Sequence, residues 1–224
     1  MTRLAMKTTR PVQEELMELA ADLEGRSAEE ILKWTAERYH DRLTFATGFG
    51  AEGCVLIDLI GRCQIPIDIF TLDTGLLFEE TYKLWHRLES RYAVKIRRVA
   101  PALNVEQQAH EYGGQLWERE PDRCCGIRKV MPLEAALASV DAWITAIRRE
   151  QTLERANAKI IEWDARFGLI KVNPLVAWTT KDIWRHIIEH EVPYNPLHDH
   201  GYPSIGCYPC TSQVKPGEDD RAGR

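Results

Sequence analysis

Leu43-Thr44-Phe45-Ala46-Thr47-Gly48-Phe49-Gly50-Ala51-Glu52-Gly53 is the stretch that decides how this chain folds. Leu43 to Thr47 is apolar or β-branched throughout and reads as a buried strand. Glycines break it, and the apolar residues from Cys54 onward read as a helix to about Gly61. Strand, glycine turn and helix make the first half of a right-handed parallel crossover, which implies an α/β sheet covered by helices on both faces. The turn also carries chemistry. Glycines let a backbone approach a phosphate, and a helix N-terminus offers free N–H groups at the positive end of its dipole. Gly48, Gly50 and Gly53 match the dinucleotide-binding fingerprint literally, and Asp73 stands twenty residues after Gly53, where a ribose-binding acid would sit. No Gly-Lys-Ser/Thr follows, so this is not a Walker loop. An adenine nucleotide is the preferred ligand and NAD the alternative, while the same glycines also suit turn chemistry alone.

Working outward, residues 11–24 and 27–40 read as amphipathic helices, the second opened by a Ser27…Glu30 capping box. Ile67 to Leu72 is a second strand, 78–92 a helix with Leu84, Trp85 and Leu88 on one side, Val94 to Val99 a third strand and 104–112 a short helix. Residues 127–138 read as helical and Val140 to Ile147 as a fourth strand. Residues 158–172 suggest a hairpin around Phe167-Gly168, and Thr179…Asp182 caps a helix to about Glu191. Lys215 to Arg224 is polar and is expected to be mobile.

The chain has 224 residues, enough for a sizeable core, with 44% hydrophobic and 28% charged residues, as in ordinary globular proteins. A net charge of −5 argues against nucleic-acid binding. The first residues lack the apolar core of a signal peptide, and the run Cys54 to Ile60 contains Asp58 and is too short to span a bilayer. A cytoplasmic protein with no membrane partner is expected. Its six cysteines then read as metal ligands or redox groups and not as a disulfide framework.

Four of them fall in two tight pairs, Cys124-Cys125 and Cys207-Tyr208-Pro209-Cys210. Converging thiolates can hold an iron–sulfur cluster or a structural zinc. Zinc favours paired ligands two to four residues apart, and adjacent cysteines would need a strained backbone to reach one ion, so a cluster is preferred. Arg128 and Lys129 follow within a turn, and cations beside a metal site imply an anionic guest. Cys54 and Cys63 belong to an apolar helix pattern and read as packing residues; His198 and His200 read as loop hydrogen-bonders.

From Thr44 to Arg224 the chain resembles the assimilatory adenylyl-sulfate (APS) reductases, relatives of the phosphoadenylyl-sulfate (PAPS) reductases. The resemblance is carried by Thr47-Gly48-Phe49-Gly50-Ala51-Glu52, Leu72-Asp73-Thr74-Gly75 with Glu80-Thr81-Tyr82, Arg148-Arg149-Glu150-Gln151 with Arg155, Lys171-Val172-Asn173-Pro174-Leu175, Tyr194-Asn195-Pro196-Leu197-His198, and Gly201 to Cys207. The four paired cysteines are its most specific part, since PAPS-specific relatives lack them. The resemblance implies a parallel-sheet, adenine-nucleotide-binding domain of the ATP-pyrophosphatase type, a [4Fe–4S] cluster on Cys124, Cys125, Cys207 and Cys210, and reduction of adenylyl sulfate to sulfite and AMP with thioredoxin as electron donor. It implies substrate contacts from Thr47, Gly48, Gly50, Leu72, Asp73, Gly75, Arg148, Arg149, Arg155, Arg221 and Arg224, catalytic roles for Lys129 and Arg128, and a homo-oligomer. Lys129, beside Cys125, is the best single candidate to bridge cluster and sulfate. For the Arg148-Arg149 pair the bland alternative is a solvated strand end.

In the family an Arg-x-x-Arg such as Arg221-Ala222-Gly223-Arg224 precedes a tail with the nucleophilic cysteine, and the sequence ends at Arg224. The expected organisation is therefore N-terminal helices over 1–42, a nucleotide-binding and iron–sulfur domain over 43–212, and the start of a mobile tail over 213–224. The competing readings are a zinc-stabilised, non-catalytic nucleotide-binding module and an NAD-dependent oxidoreductase.

Overall fold

A computed structural model, describing residues 13–215 and 217–224, places Leu43–Thr47 (β1) near the middle of a six-stranded sheet. The other strands are Asp68–Leu72 (β2), Ile96–Val99 (β3), Ala142–Ile144 (β4), Ile161–Asp164 (β5) and Leu169–Val172 (β6), in the spatial order β3-β2-β1-β4-β6-β5. Every neighbouring pair is parallel except the β5/β6 hairpin, whose turn passes through Gly168 at φ +68°. The chain winds outward from β1 through β2 to β3, then returns to start the other half of the sheet at β4. Loops therefore leave β1 and β4 in opposite directions and open a crevice at their carboxyl ends, the place where open α/β sheets bind ligands.

The period-2 pattern decides which side each residue serves. Phe45, Ile69, Ile144, Ile170 and Val172 face the larger core, while Phe70 and Leu169 face a smaller one that Ala46, Leu72 and Trp143 also join. The larger core is covered by helices Gln13–Leu23 (α1), Ala28–Tyr39 (α2), Ala51–Arg62 (α3), Glu79–Tyr92 (α4) and, following β6, Thr180–Glu189 (α9). Leu23, Ile31 and Leu32 of α1 and α2 are buried in this same core as Phe45, so the N-terminal helices pack on the sheet. The Ser27/Glu30, Asn104/Gln107 and Thr179/Asp182 capping boxes are all present, which is why α2, the helix Val105–Tyr112 (α5) and α9 begin where the sequence indicates.

Two elements depart from expectation. The fourth strand is only Ala142–Ile144; Thr145 N–H still donates to the Val172 carbonyl at 3.0 Å, its hydroxyl donates to the Asn173 carboxamide oxygen at 2.5 Å, and the chain then turns away from β6. The helical stretch around the first cysteine pair is three pieces, Pro121–Cys125 (α7), a π-helical turn Gly126–Val130 and Met131–Leu137 (α8), preceded by the short Leu116–Arg119 (α6). Residues 11 and 12 of the first expected helix lie outside the described residues. Residues 217–224 return toward the segment before them. Ser212 donates to the Gly223 carbonyl at 2.9 Å, and a Cβ at Gly223 would overlap the Ser212 backbone, so only glycine permits this return. No helix among the described residues is long and apolar enough to cross a membrane.

Candidate functional site

At the carboxyl end of β1 the left-handed residue of the glycine turn is Phe49 (φ 59°), not a glycine. Its ring is buried and stacked on Trp85, with centroids 5.7 Å apart, so core packing holds a conformation that a bulky side chain otherwise avoids. The glycines have other roles. A Cβ on Gly53 would stand 2.7 Å from Thr47 Oγ1, so Gly53 lets α3 start hard against β1. A Cβ on Gly48 would meet nothing within 4 Å, which leaves the backbone bare toward open space. Thr47 Oγ1 accepts from the Phe49 amide at 3.1 Å and ties the turn together.

Two cavities meet at this turn. The first, about 250 Å³, has apolar walls from Ala46, Phe70, Leu72 and Trp143, with Gly48, Lys129, Cys207 and Arg224 at its polar side. The second, about 430 Å³, is lined by Gly50, Glu52, Arg148, Arg155, His198, Ser204 and Arg221 among others. Ile205 lines both. The second is cationic in a specific way. Arg148 is spent on Glu52 (2.9 Å) and Glu150 (3.1 Å), which fastens its loop to α3 and α9. Arg155 is bonded to Gln151, and both burial and the neighbouring Arg221 guanidinium push its pKa down, against Glu52 and Glu154. Two cations held close at a cavity wall suit an anion placed between them.

The four paired cysteines converge beside the first cavity. Cys124 and Cys125 end α7 in ordinary helical backbone, so the adjacent pair needs no strain; the π turn that follows redirects the next residues. Cys207 is brought in by a bridge to Leu77 and by Tyr208 N–H donating to the Leu76 carbonyl, and a 3₁₀ turn delivers Cys210. Burial, then the closeness of Cys125 and Cys207, raises the Cys124 thiol pKa; burial and the other three sulfurs raise that of Cys210. Lys129 opposes the shift at Cys210, and its Nζ lies 4.0 Å from Cys125 Sγ. Polar groups also reach the sulfurs: Thr74 Oγ1 stands 3.2 Å from Cys207 Sγ and the Gln108 amide donates to Cys124 Sγ at 3.8 Å. Among the described residues no group of three or more His, Cys, Asp or Glu side chains is arranged to hold a single metal ion. Four thiols with hydrogen-bond donors and a cation facing them are residues that could hold a sulfur-ligated metal group between them.

Of the residues expected at the site, Thr47, Gly48, Leu72, Lys129, Cys207 and Arg224 line the first cavity and Gly50, Arg148, Arg155 and Arg221 the second. Asp73, Gly75, Arg128 and Arg149 line neither. Asp73 Oδ1 accepts from Gly75 N–H (2.9 Å) and Tyr82 OH (2.6 Å), and Oδ2 from Arg98 (2.6 Å), so the carboxylate closes its own loop. Burial alone would raise its pKa, yet these three donors hold it below the usual range. Gly75 turns at φ +69°, and a Cβ there would press on Arg128 Nη2 at 3.2 Å. Arg128 is 2% exposed and donates to the carbonyls of Thr74 (2.5 Å) and Leu103 (3.3 Å) and to Gln108 Oε1 (2.9 Å). Arg149 donates to the Ala158 carbonyl at 2.8 Å. Sequence reasoning missed Thr74, Gln108 and Ser204. Thr74 sat inside a motif already singled out, whereas nothing in the sequence around Gln108 links it to cysteines sixteen residues away.

Residues 42–213 match the phosphoadenosine phosphosulfate reductase domain. The chain is 46% identical over 214 residues to the adenosine 5'-phosphosulfate reductase of Halalkalibacterium halodurans, covering 95% of this chain and 93% of that one. It is 49% identical over 200 residues to adenosine 5'-phosphosulfate reductase 1 of Bacillus subtilis, covering 89% and 86%. The phosphate complex of phosphoadenylyl-sulfate reductase from Candida auris superimposes with a TM-score of 0.82 at 31% identity, over 92% of this chain and 100% of that one. The FMN adenylyltransferase of Candida glabrata, at a TM-score of 0.58 and 16% identity over 89% of this chain and 65% of that one, shares the fold alone. With its sheet, its glycine turn and its length of match in agreement, the chain belongs to the phosphoadenosine phosphosulfate reductase family.

Proposed function

We propose that this protein reduces adenylyl sulfate to sulfite and AMP, with Cys124, Cys125, Cys207 and Cys210 holding a [4Fe–4S] cluster and reduced thioredoxin supplying the electrons. The observation that carries this reading is the position of Lys129: its ammonium lies against Cys125 while its side chain lines the cavity under Gly48. A cation that touches both a thiolate set and a nucleotide pocket suits a reaction in which an anionic group is attacked beside that set. Adenine lies against the apolar walls at Phe70, Leu72 and Trp143. The phosphate lies over the bare backbone at Gly48, with Arg155, Arg221 and Arg224 around the anion.

In the proposed chemistry a cysteine thiolate attacks the sulfate sulfur. A sulfur–sulfur bond forms, the bond to the phosphate oxygen breaks, and AMP leaves with that electron pair. A thioredoxin thiolate then attacks the cysteine sulfur and expels sulfite; its second thiol closes a disulfide, returning the cysteine as a thiol. Cys54 and Cys63 are poorly suited to be the attacking thiol, because Cys54 is buried with its pKa driven far up by desolvation and that of Cys63 is also raised by burial, while the other four cysteines are assigned to the set. A bound cluster supplies electrostatic and structural support. The NAD reading loses its ribose acid, since both Asp73 oxygens are already bonded.

The test is iron, acid-labile sulfide and zinc per chain on anaerobically purified protein, with thioredoxin-dependent sulfite release measured on the same sample. About four iron and four sulfide per chain with sulfite release is the expected result. Stoichiometric zinc without sulfide would overturn the cluster and leave a zinc-stabilised nucleotide-binding module.

A further inference from the structure

Helix α5 fully buries one of its residues, and that residue is a glutamine. Gln108 is 1% exposed, while the rest of Val105–Tyr112 is half-buried or exposed. A helix that docks by packing alone buries apolar side chains, whereas a buried amide is held by its hydrogen-bond partners. Both ends of this amide are used. Oε1 accepts from Arg128 at 2.9 Å, and Nε2 donates to Cys124 Sγ at 3.8 Å. The two contacts depend on one another. A guanidinium has N–H donors and no acceptor, so it can bind only the carbonyl side of the amide, which leaves the NH₂ side for the sulfur. Arg128 is in turn anchored independently of Gln108, by the backbone carbonyls of Thr74 (2.5 Å) and Leu103 (3.3 Å). The π turn therefore fixes Arg128, Arg128 fixes the amide, and the amide aims an N–H at Cys124.

A metal-bound thiolate keeps negative charge on its sulfur, and an N–H directed at it spreads that charge and holds the side chain in place. Such outer partners govern how firmly a ligand stays on its metal, and hydrogen bonds to sulfur help to set the potential of iron–sulfur groups. Lys129 meets the set at Cys125 and Thr74 meets it at Cys207, whereas Gln108 brings an uncharged donor to Cys124. Resting on the reading of the four cysteines as one metal-holding set, we propose that Gln108 is a positioning residue of that set. Oriented by Arg128, its amide N–H donates to the Cys124 thiolate, slows the loss of that ligand from the bound group and raises the reduction potential of an iron–sulfur group held there.

The experiment uses the full chain, purified without air, as wild type, Gln108→Glu and Gln108→Met. Iron, sulfide and zinc are assayed first, then the rate of metal release into excess chelator and, for iron-loaded protein, the reduction potential. Gln108→Glu keeps an acceptor for Arg128, whose charge holds the new carboxylate ionised, but presents no N–H to the sulfur. It is expected to keep the wild-type denaturant midpoint, to release metal about tenfold faster and to be harder to reduce. Gln108→Met removes the donor without adding charge and is expected to shift both readings the same way by a smaller amount. A Gln108→Glu protein with wild-type release and wild-type potential overturns the proposal and leaves Gln108 as a brace for Arg128 alone. Wild-type release from a folded Gln108→Met protein overturns it equally. Zinc without sulfide in the wild type sinks the cluster, while the release rates still decide the role of Gln108. A wild type that holds neither metal nor sulfide sinks the sulfur set and this proposal with it.

Discussion

Arg128 and Lys129 are neighbours in the chain and carry adjacent positive charges, yet the π turn sends them into unlike surroundings. Arg128 goes inward, where three acceptors from Thr74, Leu103 and Gln108 surround a guanidinium whose pKa is lowered by burial, despite the nearby Cys124 and Cys207 sulfurs. Lys129 goes to the cavity. Substitution should separate them by kind of effect. Arg128→Met leaves those acceptors buried without a donor and should cost roughly 3 kcal/mol of stability, read as a lower denaturant midpoint and loss of bound nucleotide together. Lys129→Ala leaves no buried acceptor orphaned. It should fold with unchanged midpoint and unchanged metal content while kcat/KM falls by about 100-fold, the scale of one lost transition-state contact. Normal turnover by Lys129→Ala would remove that residue from the mechanism, and a Lys129→Ala protein destabilised as much as Arg128→Met would make both structural.

At the scale of elements, the β1–turn–α3 unit distinguishes glycines kept for packing from glycines kept for a ligand. Gly53→Ala pushes a methyl to 2.7 Å from Thr47 Oγ1 and should destabilise by about 1–3 kcal/mol, with Thr47→Ala in the same chain recovering part of the loss. Gly48→Ala meets open space at an unstrained φ, so its stability should match wild type while AMP affinity falls. Equal denaturant midpoints for Gly48→Ala and Gly53→Ala would contradict the division. The strand, the turn and the helix were all legible in the sequence because period and breakers are local properties, and the Ser27/Glu30 and Thr179/Asp182 capping boxes were legible because both partners lie within four residues. The left-handed residue was not. Glycine spacing points at Gly48 and Gly50, but the sign of φ at Phe49 is set by stacking on Trp85, a contact across thirty-six residues. The π turn escaped for a similar reason: it is a property of hydrogen-bond register, and Gly126 to Val130 carries the same residue types an α-helix would. The arginines show the same limit. Their number in the loop after β4 was readable, but the acids that occupy Arg148 come from α3 and from its own loop, and only the fold brings Glu52 there.

The molecule as a whole keeps its sheet and its cysteine set energetically apart. Neither hydrophobic core contains Cys124, Cys125, Cys207 or Cys210; the cores are built from the strands and from α1 to α4, α8 and α9. The cysteines instead join three segments outside those cores: the end of α7, the Leu72–Leu77 loop through Thr74 and the Leu77 bridge, and the Ile205–Cys210 turn. Arg224 is linked to the last of these through Ser204 at 3.1 Å, and its pKa is lowered by burial and by Arg221 while Cys207, Cys210 and Cys125 oppose the shift. Removing the proposed cluster should therefore act on the site wall and not on the fold. After oxidative stripping and chelation under denaturant-free conditions, the far-UV circular dichroism should stay within error of the loaded protein. The main unfolding transition should remain cooperative, because the apolar burial that drives it is untouched. AMP affinity should fall at least tenfold, since Lys129, Thr74 and Arg224 lose the partner that holds their segments together, and hydrogen exchange should rise at 72–77, 124–130 and 205–210 while the amides of β1 and β2 stay protected. A stripped protein that loses its helical signal and its cooperative transition would show instead that the metal centre is part of the folding core, as in small zinc-stabilised domains.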